Sequence, residues 1–278
     1  KGDLDIANNM AVSDINALRS DPQLTVDAVQ RGTMYYVAMS MKEAHFANPK
    51  VREAVRYLID YQGINKALMP GYGVLHQRPI KAGMPSTLPD PGYRLDVARA
   101  KKLLAEAGYP NGFTATLWAA SNSSANQKML QFLQQQYARI GVKLQVRALE
   151  AGQRVTLVQS VRPEKSTSQM FCWGWSASTG ELDWVLRPLL ATSSFPPANS
   201  NYAYYSNPKL DSLLTAALKT TDRAEKTKIY DEAQELIWKD APWVFLVVDQ
   251  GISARSANLT GFYSLKDGGF NFLEADLK

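Results

Sequence analysis

The chain is poor in the residues that build metal and redox centres. It holds one cysteine, Cys172, and two histidines, His45 and His76, in 278 residues. A single thiol cannot close an intramolecular disulfide, and Cys172 lies inside an apolar run, where it reads as a small hydrophobe. The histidines are far apart with no second ligand at metal-binding spacing, so neither a zinc site nor a histidine-based catalytic unit is expected. No apolar run reaches the ~18–20 residues of a membrane-spanning helix, and no signal-peptide pattern opens the chain. Nucleophile elbows and phosphate loops are missing as well. Positive charge is in mild excess, a formal +5. It is spread over helical contexts (Arg99, Lys101, Lys102; Lys226, Lys228) as solvated faces and forms no basic stripe, so no nucleic-acid partner is expected.

What is present is an ordinary globular balance, 45% hydrophobic and 21% charged residues, with length enough for two lobes. Met34 to Met41 reads as a buried strand. Asn48-Pro49 is a helix start, with Val51, Ala54, Val55, Leu58 and Ile59 on one face at helical spacing. Leu68 to Pro91 is rich in Gly and Pro and reads as a long irregular crossing. Asp96 caps a second helix that Gly108 stops, and Asn111-Gly112 turns into the alternating strand Phe113–Trp118. A polar loop, AASNSSAN, then precedes a helix through Arg139, and Val142–Leu149 is another alternating strand. The succession of strand, loop, helix and strand predicts an α/β lobe with ligand loops at the carboxyl ends of its strands. Farther on, Phe195–Tyr205 reads as a Pro- and Tyr-rich surface segment. Helices open at Asn207-Pro208 and at Asp222, and a strand covers Trp243–Val248.

The most informative stretch is Met170 to Trp184, MFCWGWSASTGELDW. A short aromatic strand emerges at Trp175 into small hydroxyl residues, a glycine and two carboxylates. An apolar body with a few placed polar groups is the make-up of a ligand-contact loop. The competing reading is a strand-to-helix connection whose Ser and Thr cap the next helix.

Three segments, FANPKVREAVRYLID, DVARAKKLLAEAGYPNGF and GWSASTGELDW, resemble the large extracellular solute-binding proteins of peptide-type ABC importers, family 5. The tail, AEKTKIYDEAQELIWKDAPWVFLVV followed by ANLTGFY, fits the same family. The finer match is to glutathione-binding members. It rests on Trp118 with its following loop, on Glu150, Ala151, Gly152, Gln153 and Arg154, on GWSASTGELDW and on LTGFY. Other members take dipeptides, oligopeptides, nickel complexes or haem.

The resemblance implies a periplasmic binding protein-like type II α/β lobe, a mixed sheet with flanking helices. Residues 1–30 would close the first lobe's opening segment and make a crossing, 31–250 would form the second lobe, and 251–278 would return to the first. On this scheme the chain is expected to be an incomplete two-lobe protein that binds ligand weakly by itself. The implied role is a periplasmic, monomeric receptor that closes on a glutathione-like peptide and delivers it to an inner-membrane ABC permease, with no cofactor, metal or catalytic step. A carboxylate-pair hydrolase using Glu181 and Asp183 is the remote alternative, because acids two residues apart at a helix start do not flank a scissile bond.

The candidate ligand contacts follow from that role. Glu181 and Asp183 are acceptors for a ligand ammonium, set against their alternative as helix first-turn acids. Ser176, Ser178, Thr179 and the Gly180 amide are donors to a carboxylate. Trp173 and Trp175 are walls for peptide amides, one of them expected in the core. Asn122 supplies a neutral group from the neighbouring loop, Arg154 and Arg78 are candidates for carboxylate contact, and Tyr35 is expected near the crossing. Relevant departures from peptide-binding relatives are Ser178, where many carry an aspartate for the peptide ammonium, and the Ser, Asn and Ala residues after Trp118, where dipeptide binders carry an arginine. An ordinary dipeptide would lose both charged partners.

Overall fold

The computed structural model describes residues 4–8, 10, 12–64, 73–120, 124–176, 179–265 and 269–278. The strands are β1 (Ile6–Asn8), β2 (Leu24–Met39), β3 (Gly73–Leu75), β4 (Thr114–Ala120), β5 (Lys143–Leu149), β6 (Met170–Ser176) and β7 (Trp243–Ser256). The two-residue pieces β8 (Leu259–Thr260), β9 (Tyr263–Ser264), β10 (Phe270–Asn271) and β11 (Asp276–Leu277) follow. The helices are α1 (Val12–Arg19), α2 (Ala44–Ala47), α3 (Pro49–Arg56), α4 (Tyr61–Gly63), α5 (Val97–Glu106), α6 (Ser124–Ala138), α7 (Ala151–Arg154), α8 (Leu182–Leu190), α9 (Pro208–Lys219) and α10 (Arg223–Asp240).

The main sheet runs β1-β7-β2-β6-β4-β5, with β3 also on β7. It is mixed: β4 pairs in parallel with β5 and β6, whereas β2 is antiparallel to both β6 and β7. Period-2 alternation sends successive residues of β6 to opposite faces. Phe171 joins the core under α8, α9 and α10. Met170 joins the core under α3, α5 and α6. Burying a Leu, Val or Phe side chain in either layer contributes ~1.5–3 kcal/mol, so the two apolar layers hold the sheet from both sides.

Local chemistry sets the helix ends. The Asn48 side chain accepts from the Lys50 amide at 3.0 Å, Asp96 from Arg99 at 2.9 Å, Asn207 from Lys209 at 2.9 Å and Asp222 from Ala224 at 2.7 Å. Each satisfies an amide that the helix itself leaves free. The turns that feed the parallel pair need glycine. Gly112, at φ 75°, lies so close to the next turn that an added Cβ would meet Gly141 O at 2.1 Å.

Several expectations need correction. The helix opening at Pro49 stops at Arg56; Asp60 caps the next short turn, so Leu58 and Ile59 are fully buried outside the helix. The first long strand begins at Leu24 and ends at Met39, and the last runs on to Ser256, because these two strands pair with each other over most of their length. The segment 195–205 is not a surface feature at its end: Asn201, Tyr202, Ala203, Tyr204 and Tyr205 are buried. The Asn201 amide makes that burial possible by donating to Ala191 O and Tyr205 O and accepting from the Tyr205 amide.

β2 and β7 continue across residues 30/31 and 250/251, with a register shift between Gln30 and Met34. Beyond the shift, Ile15 and Ile252 form a small separate cluster with Met10 and Val26 against them.

Candidate functional site

Because β4, β5 and β6 are mutually parallel, their carboxyl ends, Ala120, Leu149 and Ser176, share one edge of the sheet. That edge is the usual ligand position in open α/β sheets. On the face under α8 to α10, Phe171 and Trp173 stack at 5.6 Å, and both Trp173 and Trp175 are partly buried against the core. The glycine between the two indoles lies against β2: a Cβ at Gly174 would meet Thr33 Cγ2 at 2.9 Å and Tyr35 Cε1 at 3.0 Å.

A cation caps this aromatic ladder. β5 ends at Leu149, Glu150 opens α7, and Gln153 Oε1 accepts from the Glu150 amide at 3.3 Å. At the end of α7 the Arg154 guanidinium lies 4.2 Å from the ring centre of Trp173 on β6. A five-residue π-helical turn, Val155–Gln159, follows at once. Such turns recur at functional sites because they re-aim side chains. Arg154 Nε is buried and has no hydrogen-bond partner among the described residues. A second pair of the same kind stands beside it, with Arg147 of β5 lying 5.1 Å from the ring centre of Trp118, its neighbour on β4. The Trp118 ring is 3% exposed, and its Nε1 likewise has no partner among the described residues.

The start of α8 forms the far rim. Pro188 sits inside this helix and has no N–H, so the Trp184 carbonyl loses its ordinary acceptor role toward residue 188. Trp175 Nε1 donates to that carbonyl at 3.1 Å, and the two indoles lie 5.7 Å apart. Thr179 Oγ1 accepts from the Glu181 amide at 3.2 Å, and Gly180 takes φ 71°. Asp183 is committed to Arg187, whose Nε and Nη2 donate to its carboxylate at 2.7–3.0 Å. That hydrogen bond raises the Arg187 pKa. Tyr230 faces the same acids; burial first and Asp183 second push its hydroxyl up to about 12. Glu181 is exposed and makes no side-chain capping bond.

The geometry therefore brings Trp173, Trp175, Ser176, Thr179, Gly180, Glu181 and Arg154 to one rim, while Asp183 on that rim is held in an ion pair. Tyr35 belongs to the opposite core layer. Arg78 is held against α10: Nη2 meets Glu235 at 2.9 Å, Nε donates to Pro89 O at 3.1 Å, and the guanidinium lies over Trp238. Asn122 and Ser178 lie outside the described residues. Sequence reasoning missed Arg147 and the exposed Trp184. Parity gave no signal for Arg147, which shares its strand face with the exposed Lys143 and Gln145 and reads as a solvent-facing charge. A cavity of about 590 Å³ lined by Tyr57, Tyr93, Arg94, Asp96 and Arg139 lies away from this rim, beside α5.

The family model of the bacterial extracellular solute-binding proteins, family 5 middle, matches residues 1–197. The chain is 48% identical over 242 residues to the glutathione-binding protein GsiB of Pectobacterium atrosepticum, covering 87% of this chain and 47% of that protein. It is 48% identical over 243 residues to GsiB of Salmonella typhimurium, covering 87% and 48%. The chain thus spans about half the length of the curated relatives it matches. Among solved structures, the ABC transporter-associated periplasmic binding protein DppA from Helicobacter pylori, in complex with the peptide STSA, superposes with a TM-score of 0.86 at 26% identity, over 99% of this chain and 53% of that one.

Proposed function

Since the chain belongs to the family 5 bacterial extracellular solute-binding proteins, we propose that it serves as the receptor component of an ABC importer, capturing glutathione or a closely similar small peptide. The observation that carries this reading is the rim at the end of β6. Trp173 and Trp175 offer flat apolar walls, Arg154 lies on one of them, and Glu181 stands exposed at the helix start across the loop. Glutathione presents two carboxylates, one ammonium and two amides. Donors, one acceptor and an apolar wall are what such a ligand requires.

In this reading the protein makes and breaks no bond. Ligand binding selects a closed arrangement of two lobes, and the closed form docks on a membrane permease outside the cytoplasm as a monomer. Residues 31–250 form the second lobe, and 1–30 and 251–278 belong to the crossings and the first. The pairing of β2 with β7 across both boundaries, and the separate Ile15–Ile252 cluster, support that division. A deletion of the Trp173 and Trp175 indoles should then weaken the ligand far more than it weakens the fold.

The test is a thermal-shift panel on the full-length gene product with reduced and oxidised glutathione, neutral dipeptides, a tripeptide, haem and nickel. Ligand at a hundred times its dissociation constant stabilises by ~2.7 kcal/mol, a shift of a few degrees. A shift with glutathione supports the reading. A shift with neutral dipeptides and none with glutathione overturns the ligand, and no shift with any of the panel overturns the receptor role.

A further inference from the structure

Two arginines near the carboxyl ends of β4, β5 and β6, the exposed Arg147 and the half-buried Arg154, share an unusual arrangement. Arg147 lies over the Trp118 indole and Arg154 over the Trp173 indole. Neither forms an ion pair among the described residues, where the ion pairs of other arginines involve Arg78, Arg99, Arg187 and Arg255. The one acid between them in sequence, Glu150, opens α7, where its side chain joins a capping box with Gln153. A guanidinium held over an indole keeps its charge and leaves its terminal N–H groups, the Nη pair, to meet a ligand. That pair matches a carboxylate with two parallel hydrogen bonds, and prior stacking removes much of the ordering cost.

The spacing has a consequence for the ligand. Trp118 pairs with Phe171, so Trp173 lies two residues farther along the next strand. With ~3.4 Å per residue and ~4.8 Å between strands, the two tryptophan Cα atoms stand about 8 Å apart. An extended tripeptide spans about 10 Å, a separation of the same scale. An ordinary neutral peptide carries one carboxylate, at one end. Two stacked guanidinium groups on one face suit a ligand with carboxylates at both ends.

We propose that Arg147 and Arg154 form a two-point reader for small peptides bearing two carboxylates, each indole holding one guanidinium in the plane that meets one carboxylate. This rests on the reading of the chain as a small-peptide receptor and adds the rule by which it selects. Trp118 and Trp173 are positioning residues in this scheme, and Arg147 and Arg154 set specificity. The rule excludes neutral dipeptides and admits γ-linked or acidic peptides, whose second carboxylate is free.

The experiment is calorimetric titration of the full-length gene product with reduced glutathione, its glycine monoethyl ester and its diethyl ester. Each ester removes one charged acceptor without changing the rest of the ligand. The wild-type protein should lose affinity by about 10–100-fold per esterified carboxylate, the range for a hydrogen bond to a charged group. R147Q and R154Q should each bind glutathione about 10-fold or more weakly. One of the two should no longer distinguish the acid from the glycine monoester, because its partner carboxylate is already lost. R99Q removes an equal charge from an arginine that stacks on Tyr57 elsewhere and should bind as wild type. Thermal unfolding of every variant separates lost contact from lost fold, and the ester series needs no variant at all. Tight binding of the diester by the wild type, or wild-type affinity in both R147Q and R154Q, overturns the reader while leaving the receptor standing. Failure of the wild type to bind any of the three ligands overturns the peptide reading and the reader with it.

Discussion

Pro188 and Trp175 make a coupled pair whose energy can be measured by a double-mutant cycle. In α8 the carbonyl of Trp184 would receive the amide of residue 188, but proline has none, and the Trp175 indole N–H fills the place at 3.1 Å. Trp175→Phe removes that donor together with part of the ring. A neutral hydrogen bond of this kind contributes about 0.5–1.5 kcal/mol net, and Trp184 is 41% exposed, so water compensates in part and the lower half of the range is expected. Pro188→Ala restores a backbone N–H to the same carbonyl. In that background Trp175→Phe should lose its hydrogen-bond component and keep only the packing loss. The coupling in the cycle should therefore be about 0.5–1 kcal/mol, with Trp175→Phe costing less in the Pro188→Ala background than beside the native proline. Urea denaturation of the four proteins measures it, at constant m-value. Equal costs of Trp175→Phe in both backgrounds, within about 0.3 kcal/mol, would refute the account of why this indole points at this carbonyl.

Further outcomes follow from the same structure. Gly112→Ala places a Cβ against the Gly141 carbonyl at a positive φ and should destabilise by about 2–4 kcal/mol in thermal denaturation; a loss below about 0.5 would mean the two turns can separate freely. Asn201→Ala strands two buried carbonyls and one amide and should cost about 3 kcal/mol or more, whereas an exposed substitution such as Lys228→Ala should stay within about 0.5. Burial pushes the Cys172 thiol from 9.0 up to about 12. The folded chain thus keeps that proton when the unfolded chain has lost it, so this contribution to stability is full below about pH 9 and falls as pH rises toward 12. Native Cys172 should accordingly resist a thiol reagent at pH 8 that labels it promptly in denaturant; equal labelling rates would show an accessible thiolate.

The helix starts were legible because they are local. Asn48, Asp96, Asn207 and Asp222 each act on an amide two or three residues away, and their side chains do so here. The first long strand was read too short: Leu24, Val26 and Ala28 alternate with Thr25 and Asp27 in a strand pattern, which pairing with residues 250–256 completes. The segment ending at Tyr205 has a loop's composition, and what buries it is one asparagine supplying the hydrogen bonds that regular structure would have given. Arg78 shows the same limit for a site residue. A cationic residue in a Pro/Gly-rich stretch looks free for a ligand until Glu235, distant in sequence, is found at 2.9 Å.

The site divides along the same line, and the division bears on what the ligand must be. The aromatic wall of β6 could be read from alternation, because Phe171, Trp173 and Trp175 fall on one face whatever the remainder of the chain does. Arg154 could be named as a candidate cation, but its seat over Trp173 could not, since it depends on where α7 carries residue 154 after β5. The resemblance to peptide binders placed a ligand aspartate at position 178 and a ligand arginine after Trp118, and the sequence has neither. Of the two acids that follow, Glu181 stands exposed and Asp183 is held by Arg187. The rim thus keeps one exposed acid, Glu181, beside two arginines that lie over indoles. On the proposed two-point reading, such a balance favours a ligand with more carboxylate than ammonium, because an electroneutral peptide would leave one guanidinium without an anion. Measured affinities should accordingly rise with the number of carboxylates on peptides of equal length, and a preference for neutral over dianionic peptides of that length would show that these arginines serve the fold alone.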